Sequence, residues 1–181
     1  MNITGVNDGN SNLLGTTNPD TLNGTAGEDR IKGNNGNDFL NGLDGSDDLF
    51  GENGDDTLNG GNSIDNLFGG NGNDILNGGN GNDWLGGDKG DDVLTGGLGS
   101  DVFLFAKSGG NDIITDFANG SDKIQIAADT GKTSFGQLTI AGGTDSHGVV
   151  YATVNLGSGG QITLTGVPTT ALDANDFFFP V

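Results

Sequence analysis

The sequence predicts an all-β chain, a parallel β-solenoid of about five flat 18-residue coils followed by a β-rich C-terminal cap. Three observations predict it. Residues 15–104 are one nine-residue unit repeated ten times without insertion or deletion. Every unit begins with Gly, carries Asp sixth and has Leu or Ile eighth, until Phe103 closes the series. One apolar residue in nine fits neither the 3.6-residue period of an amphipathic helix nor the alternation of a long half-buried strand.

Residues 1–14 read as a degenerate N-terminal cap, since 6–14 is a worn copy of the unit with Ser11 where Asp should stand. Within the repeats, three residues such as Ile75, Leu76 and Asn77 suffice for a short strand that sends only its middle side chain inward. The six Gly- and Asn-rich residues between strands turn the chain, because both residue types tolerate positive φ. Two units complete one coil, and stacked coils give two parallel sheets facing each other across a thin leucine core. At a strand spacing of about 4.8 Å, five coils make a stack roughly 24 Å long. From Phe105 the nine-residue period stops. Segments 112–117, 123–128, 137–141, 149–156 and 161–167 alternate and read as strands. Residues 102–106, leading into NDIITDF, are placed to cover the last hydrophobic layer.

In this geometry each unit lies beneath the second unit after it, so the sixth-position aspartates form two columns. One is Asp20, Asp38, Asp56, Asp74 and Asp92; the other is Asp29, Asp47, Asp65, Asp83 and Asp101. Carboxylates stacked at strand spacing repel by roughly 3 kcal/mol per neighbouring pair at an effective dielectric of about 20. A hard dication between successive turns reverses that sign, and calcium accepts six to eight oxygens from carboxylates and main-chain carbonyls in loose geometry. Four gaps per column offer up to eight sites, and eight dications would reduce the formal charge of −19 to about −3.

The unit is similar to the G-G-x-G-x-D-x-U-x nonapeptide of RTX, or haemolysin-type calcium-binding, proteins. The match runs in register over 15–104, and residues 69–77, GGNGNDILN, fit every position. The resemblance implies a parallel β-roll whose Ca2+ ions take sixth-position Asp side chains from two stacked turns. It also implies turn carbonyls as ligands, at Gly27, Gly36, Gly45, Gly54, Gly72, Gly81, Gly90 and Gly99. Export by a type I secretion apparatus as an unfolded chain, followed by folding in extracellular calcium, is implied as well. Ser63 and Ile64 depart from the pattern in the Asp65 unit, and Asn18 and Pro19 in the first, so five to eight ions are expected.

With 31% hydrophobic residues, 37 glycines and 25 acidic against 6 basic residues, the composition resembles that of a disordered chain more than a core-forming one. Metal binding resolves that conflict: a site with free calcium tenfold above its dissociation constant adds about 1.4 kcal/mol. The chain has no cysteine, which suits a secreted protein stapled by metal. Residues 1–14 lack the basic region and apolar run of a signal peptide. No stretch reaches the length of a transmembrane segment. The negative charge argues against nucleic acid, whose phosphates require Lys and Arg.

GGNDIITDFANGSDKIQIA also looks like the segment that follows the repeats in RTX proteins. Asp112, Asp116 and Asp122 there hold either one further ion or ordinary turn and cap positions. The C-terminal run from Asn175, Asp176 and Phe177 to Val181 is similar to the uncleaved type I secretion signal, and the same residues can pack after export as a last strand of the cap.

Catalytic candidates are poor. Asp145, Ser146 and His147 name a hydrolase triad, but adjacent residues on one turn do not converge. No H-E-x-x-H or G-x-S-x-G motif occurs. One sheet should show Asn23, Asn41, Asn59, Asn77 and Thr95 in file beside Thr21, Phe39, Thr57, Ile75 and Val93. The opposite sheet should carry Phe50, Phe68, Trp84 and Leu104 as an apolar line suited to an interaction surface, a cap contact or a dimer seam. The reading is a non-enzymatic, secreted, calcium-binding module. The alternative is the C-terminal export and folding module of a larger secreted protease, lipase or epimerase. An adhesin-type module binding a cell surface, polysaccharide or ice ranks lower, because Phe39 and Ile75 break the Asn and Thr files.

Overall fold

The computed structural model describes residues 2–4, 12–106, 109–157 and 160–180. Strands from alternate units go to opposite sheets. The first sheet takes β1 (Asn2–Thr4), β3 (Thr21–Asn23), β5 (Phe39–Asp44), β7 (Thr57–Asn62), β9 (Ile75–Asn80) and β11 (Val93–Leu98), all parallel. The second takes β2 (Asn12–Leu14), β4 (Arg30–Asn35), β6 (Asp48–Asn53), β8 (Asn66–Asn71), β10 (Trp84–Lys89) and β12 (Val102–Phe105). The register advances by eighteen residues per coil, as in Leu40↔Leu58 and Leu58↔Leu76. This is a parallel β-solenoid of about six turns.

The core is the file of eighth-position side chains, from Leu22 and Ile31 through Leu94 to Phe103, each with no exposed surface. Each such leucine is worth about 1.5–3 kcal/mol over an exposed one. That a single leucine per nine residues suffices follows from the thinness of the coil, which leaves room for one inward layer from each sheet.

Strand length differs from the three residues expected. From β4 to β11 each strand runs six residues, through the first three positions of the next unit, and buries two positions instead of one, or three in β10. In β5 these are Leu40 and Gly42. The reason lies at the second position of the next unit, where the backbone takes positive φ even in Leu43 (86°) and Glu52 (79°). β2 and β3 keep three residues, and the units that follow them carry Thr16 and Thr25 there, outside the positive-φ set.

The coil pattern continues beyond residue 104 with longer turns. β13 (Gly110–Ile114) pairs parallel with β11, and β14 (Lys123–Ile126) pairs parallel with β12. β17 (Gly160–Thr165) stacks parallel on β13, and β16 (Val150–Asn155) and β15 (Thr139–Thr144) extend that sheet antiparallel. All five strands expected in this half form, with shifted ends. The last, β18 (Phe177–Phe178), pairs with β14, and Phe177 packs on Phe135 with ring centroids 5.3 Å apart. Ser11 and Val181 lie outside the described residues. Among the described residues no helix is long and apolar enough to cross a membrane.

Candidate metal centre

Each column aspartate is placed by the strand that follows it, since it stands one residue before β3 to β12 begin. The two expected columns form. The amide of Asp20 donates to Oδ1 of Asp38 at 2.8 Å, and the same bond repeats between every pair eighteen residues apart, at 2.7–2.9 Å. The turn bearing Ser63 and Ile64 is not an exception. Ser63 takes φ 87°, and Asp65 receives the Asp47 amide at 2.8 Å with no exposed surface.

These bonds use one carboxylate oxygen and leave the other. Oδ2 of Asp38, Asp47, Asp56, Asp65, Asp74, Asp83, Asp92 and Asp101 is buried without a hydrogen-bond partner. Burial pushes Asp47, Asp56 and Asp101 up to about 6, and Asp65 and Asp74 up to about 7; amides of the adjacent coil pull the other way, and neighbouring carboxylates add to the rise. Asp38, Asp83 and Asp92 shift upward, again chiefly through burial. The ion pairs Arg30–Asp48 and Lys32–Glu52 lie on the outer face of the second sheet. A file of buried, unpartnered carboxylate oxygens is costly unless a cation joins it.

The chain makes room for one. Around the place a Cβ would occupy on Gly78 lie Oδ2 of Asp83, at 2.5 Å, and the carbonyl oxygen of Gly96 in the next coil, at 2.7 Å. Gly33, Gly42, Gly51 and Gly60 show the same pairing of their own unit's Asp Oδ2 with the next coil's first-position carbonyl. Any side chain at the first position would fill the space those oxygens share. The donor set, hard carboxylate and carbonyl oxygens only, is that of calcium.

The fourth-position glycines are placed differently from the first. The carbonyl oxygens of Gly27, Gly36, Gly54, Gly72, Gly81 and Gly90 lie against the place a Cβ would occupy on the corresponding glycine of the next coil. Gly45 and Gly99 stack on Gly27 and Gly81, whose carbonyl oxygens lie against them, while Gly36, Gly54, Gly72 and Gly90 make the other file. The first-position carbonyls beside Oδ2 are the ones sequence reading passed over. Their signal was visible: Gly stands first in every unit, whereas the fourth position admits Asn18 and Ser63.

The first two turns are built another way. Oδ2 of Asp20 accepts the amide and hydroxyl of Thr16, at 2.6 and 2.8 Å. Oδ2 of Asp29 accepts the same groups of Thr25, at 2.6 and 3.1 Å. There a threonine of the same unit satisfies Oδ2.

Asp112, Asp116 and Asp122 do not come together. Asp112 and Asp122 extend separate columns, accepting the amides of Asp92 and Asp101, both at 3.0 Å. Asp116 accepts the amides of Gly96 and Gly97 at 3.0 and 2.8 Å. Among the described residues no three His, Cys, Asp or Glu side chains form a cluster. What the columns offer a cation is therefore pairs of carboxylates together with main-chain carbonyls.

On the outer faces, Asn23, Asn41, Asn59, Asn77 and Thr95 stand in file as expected. Phe50 and Phe68 stack at 5.6 Å, but Trp84 is in register with Asn66 and Val102 and so lies outside their file. Gly86 occupies the place next to Phe68, ahead of Leu104. Oδ1 of Asp145 accepts the amides of His147 and Val149 at 2.8 and 2.9 Å, holding the β15–β16 turn.

The family model for the RTX calcium-binding nonapeptide repeat (4 copies) matches residues 14–49, 50–85 and 68–103. The chain is similar to the solution structure of the AlgE6R3 subunit from the Azotobacter vinelandii mannuronan C5-epimerase. Identity is 30% and the TM-score 0.55, over 68% of this chain and 77% of that one. The AlgE6R2 subunit of the same epimerase is 26% identical with a TM-score of 0.41, over 93% of this chain and 95% of that one. Extracellular lipase LipA from Serratia marcescens is 17% identical with a TM-score of 0.47; the match covers 97% of this chain but only 40% of the lipase. Among curated proteins nothing matches the chain. The repeat in the sequence, the stacked aspartates in the structure, the family-model match and the likeness to AlgE6R3 agree, and the chain belongs to the family of RTX calcium-binding nonapeptide repeat proteins.

Proposed function

We propose that the chain is a secreted folding module whose solenoid is assembled by five to eight Ca2+ ions and which performs no catalysis of its own. The proposed ligands are the carboxylates of the two columns, Asp20 to Asp92 and Asp29 to Asp101, with carbonyls of the first- and fourth-position turn residues. One observation carries the reading: the unbroken file of buried, unpartnered Oδ2 atoms from Asp38 to Asp101. Bound calcium supplies positive charge and flexible coordination at those oxygens. The chain's own part is to stack them in register and to keep the space open with first-position glycine.

Export follows from the same physics. In low calcium the repelling columns and sparse core keep the chain unfolded, the form a type I secretion apparatus can pass, and extracellular calcium then drives folding. The C-terminal run suits both states, since Phe177 finds a buried place beside Phe135 after folding. A second reading, the C-terminal module of a larger secreted enzyme, is favoured by similarity to a subunit of an epimerase.

Isothermal titration calorimetry with calcium and, separately, magnesium tests the proposal. Several calcium ions should bind per chain while magnesium, which demands tight octahedral geometry and holds its water, produces little heat. Binding of one ion or none would refute it.

A further inference from the structure

Four strands end the two sheets, and three of them are blunted. The ten-stranded sheet runs from β1 to β15, and the eight-stranded one from β18 to β2. β1 and β2 have three residues each; β18 has two and is followed closely by Pro180. Short strands and proline are ordinary protection of a sheet edge against pairing with another chain. β15, TIAGGT, has neither: it runs six residues, Thr139–Thr144, without proline or a charged side chain. Its ladder with β16 is unbroken from Thr139↔Asn155 to Thr144↔Val150, so no bulge turns the edge away.

Only one side of β15 is used. Among the described residues its backbone bonds run to β16 and to no other strand. Both faces are closed at its two glycines. A methyl carbon of Thr169 lies 2.6 Å from the place a Cβ would occupy on Gly142, and the hydroxyl of Tyr151 lies 2.9 Å from that place on Gly143, on the opposite face. An aromatic ring laid over an edge glycine in this way pins the strand. Ala141, Gly142, Gly143 and Thr144 are nevertheless all exposed. In the glycines that exposure is main chain, the outward row of amides and carbonyls along the edge.

The strand is also complementary to itself. A two-fold axis perpendicular to the sheet keeps each face of one copy continuous with the same face of the other. Centred on Gly142, it sets Ala141 opposite Gly143, Ile140 opposite Thr144 and Thr139 opposite Asp145 of the other copy, so small meets small and a hydroxyl meets a carboxylate. Each of these pairs occurs twice. Two chains of formal charge −19 repel over much of their surface, whereas this edge brings no like charges opposite each other. A foreign strand would gain the main-chain bonds alone; a second copy gains the side-chain pairs as well.

We propose that β15 is a docking edge for a second copy of this chain, the two β15 strands pairing antiparallel about Gly142 to join two ten-stranded sheets into one. Because β15 is built through β16 and β17 on β13, the edge exists only once the roll has folded.

Sedimentation velocity of the full chain in saturating calcium tests it. One strand pair is small beside the about 1,200–2,000 Å² of a stable interface, so the chain should pass from monomer to dimer over a roughly hundredfold range of concentration. Ala141→Lys and Ala141→Glu each place like charges diagonally across the pair, from a side chain that is exposed in the single chain. Each variant alone should need a roughly fivefold higher concentration to pair, and an equal mixture of the two should recover wild-type association. Their circular dichroism in calcium should match that of the wild type, since neither change touches the core. A wild-type chain that folds in calcium yet stays monomeric at every concentration would overturn the pairing and leave the calcium reading intact. Undiminished association of either variant alone, or a mixture that associates no better than its parts, would overturn it too.

Discussion

The amide of Asp74 donates to Oδ1 of Asp92 at 2.8 Å, and Oδ1 of Asp74 in turn accepts the amide of Asp56 at 2.7 Å. Asp74 thus joins two gaps of its column, its Oδ1 toward Asp56 and its amide toward Asp92, with its buried Oδ2 left without a hydrogen-bond partner. Asp74→Ala should remove ligands from both, lowering calcium stoichiometry by up to two and raising the midpoint of calcium-induced folding on the order of tenfold. Asp145→Ala is the comparison. It frees two exposed turn amides and should leave the calcium midpoint where it was. Equal shifts in the two variants, read by circular dichroism, would contradict the column assignment.

Glycine at the first position is required by space. A methyl on Gly78 would lie within 3 Å of Oδ2 of Asp83 and of the Gly96 carbonyl, both part of the rigid stack. Gly78→Ala should destabilise the calcium-bound chain by about 1–3 kcal/mol and weaken calcium binding with it. Gly136→Ala, with nothing within 4 Å of the new methyl, should do neither. Chemical denaturation in saturating calcium separates the two.

Much of this was legible beforehand. The nine-residue period fixes which aspartates stack, because a unit can pair only with the second unit after it once strands alternate between sheets. The leucine file follows from the same count. What the period did not reveal depends on φ at the second position: positive values in Asn34, Leu43 and Glu52 carry the strands to six residues, and no residue preference of Leu or Glu would suggest it. Asp112 and Asp122 were read as turn residues or as one shared site because their spacings of twenty and twenty-one break the period, whereas hydrogen bonding assigns them to separate columns.

Removal of one core leucine tests the thin interior. Leu67 sits mid-stack with no exposed surface, in register with Leu49 and Leu85. Leu67→Ala should cost about 2–5 kcal/mol in calcium, since neighbouring coils cannot close the cavity without leaving their ladder. Guanidinium unfolding in saturating calcium reads the loss.

Acid should act in opposite directions with and without metal. The buried carboxyls lie above their usual value of 3.8, at about 6 for Asp56 and about 7 for Asp74, so the metal-free folded state binds more protons than the unfolded chain. That contribution to stability is complete below the unfolded value and disappears as pH rises through 6 to 7. In calcium-free buffer, β signal should therefore increase from pH 8 to pH 5. Protons compete with calcium for the same oxygens, so the calcium needed for folding should be on the order of tenfold higher at pH 5.5 than at pH 8. Far-ultraviolet circular dichroism across a grid of pH and calcium concentration measures both trends.

If dications neutralise the two acidic columns, the polymer is disordered without them and a rod with them. Circular dichroism at pH 8, begun in chelator and followed through a calcium titration, decides the matter. A cooperative passage from little regular structure to the β spectrum is expected. A β spectrum already complete in chelator, and unchanged by calcium, would show that the stacked aspartates of this chain do not need metal to fold.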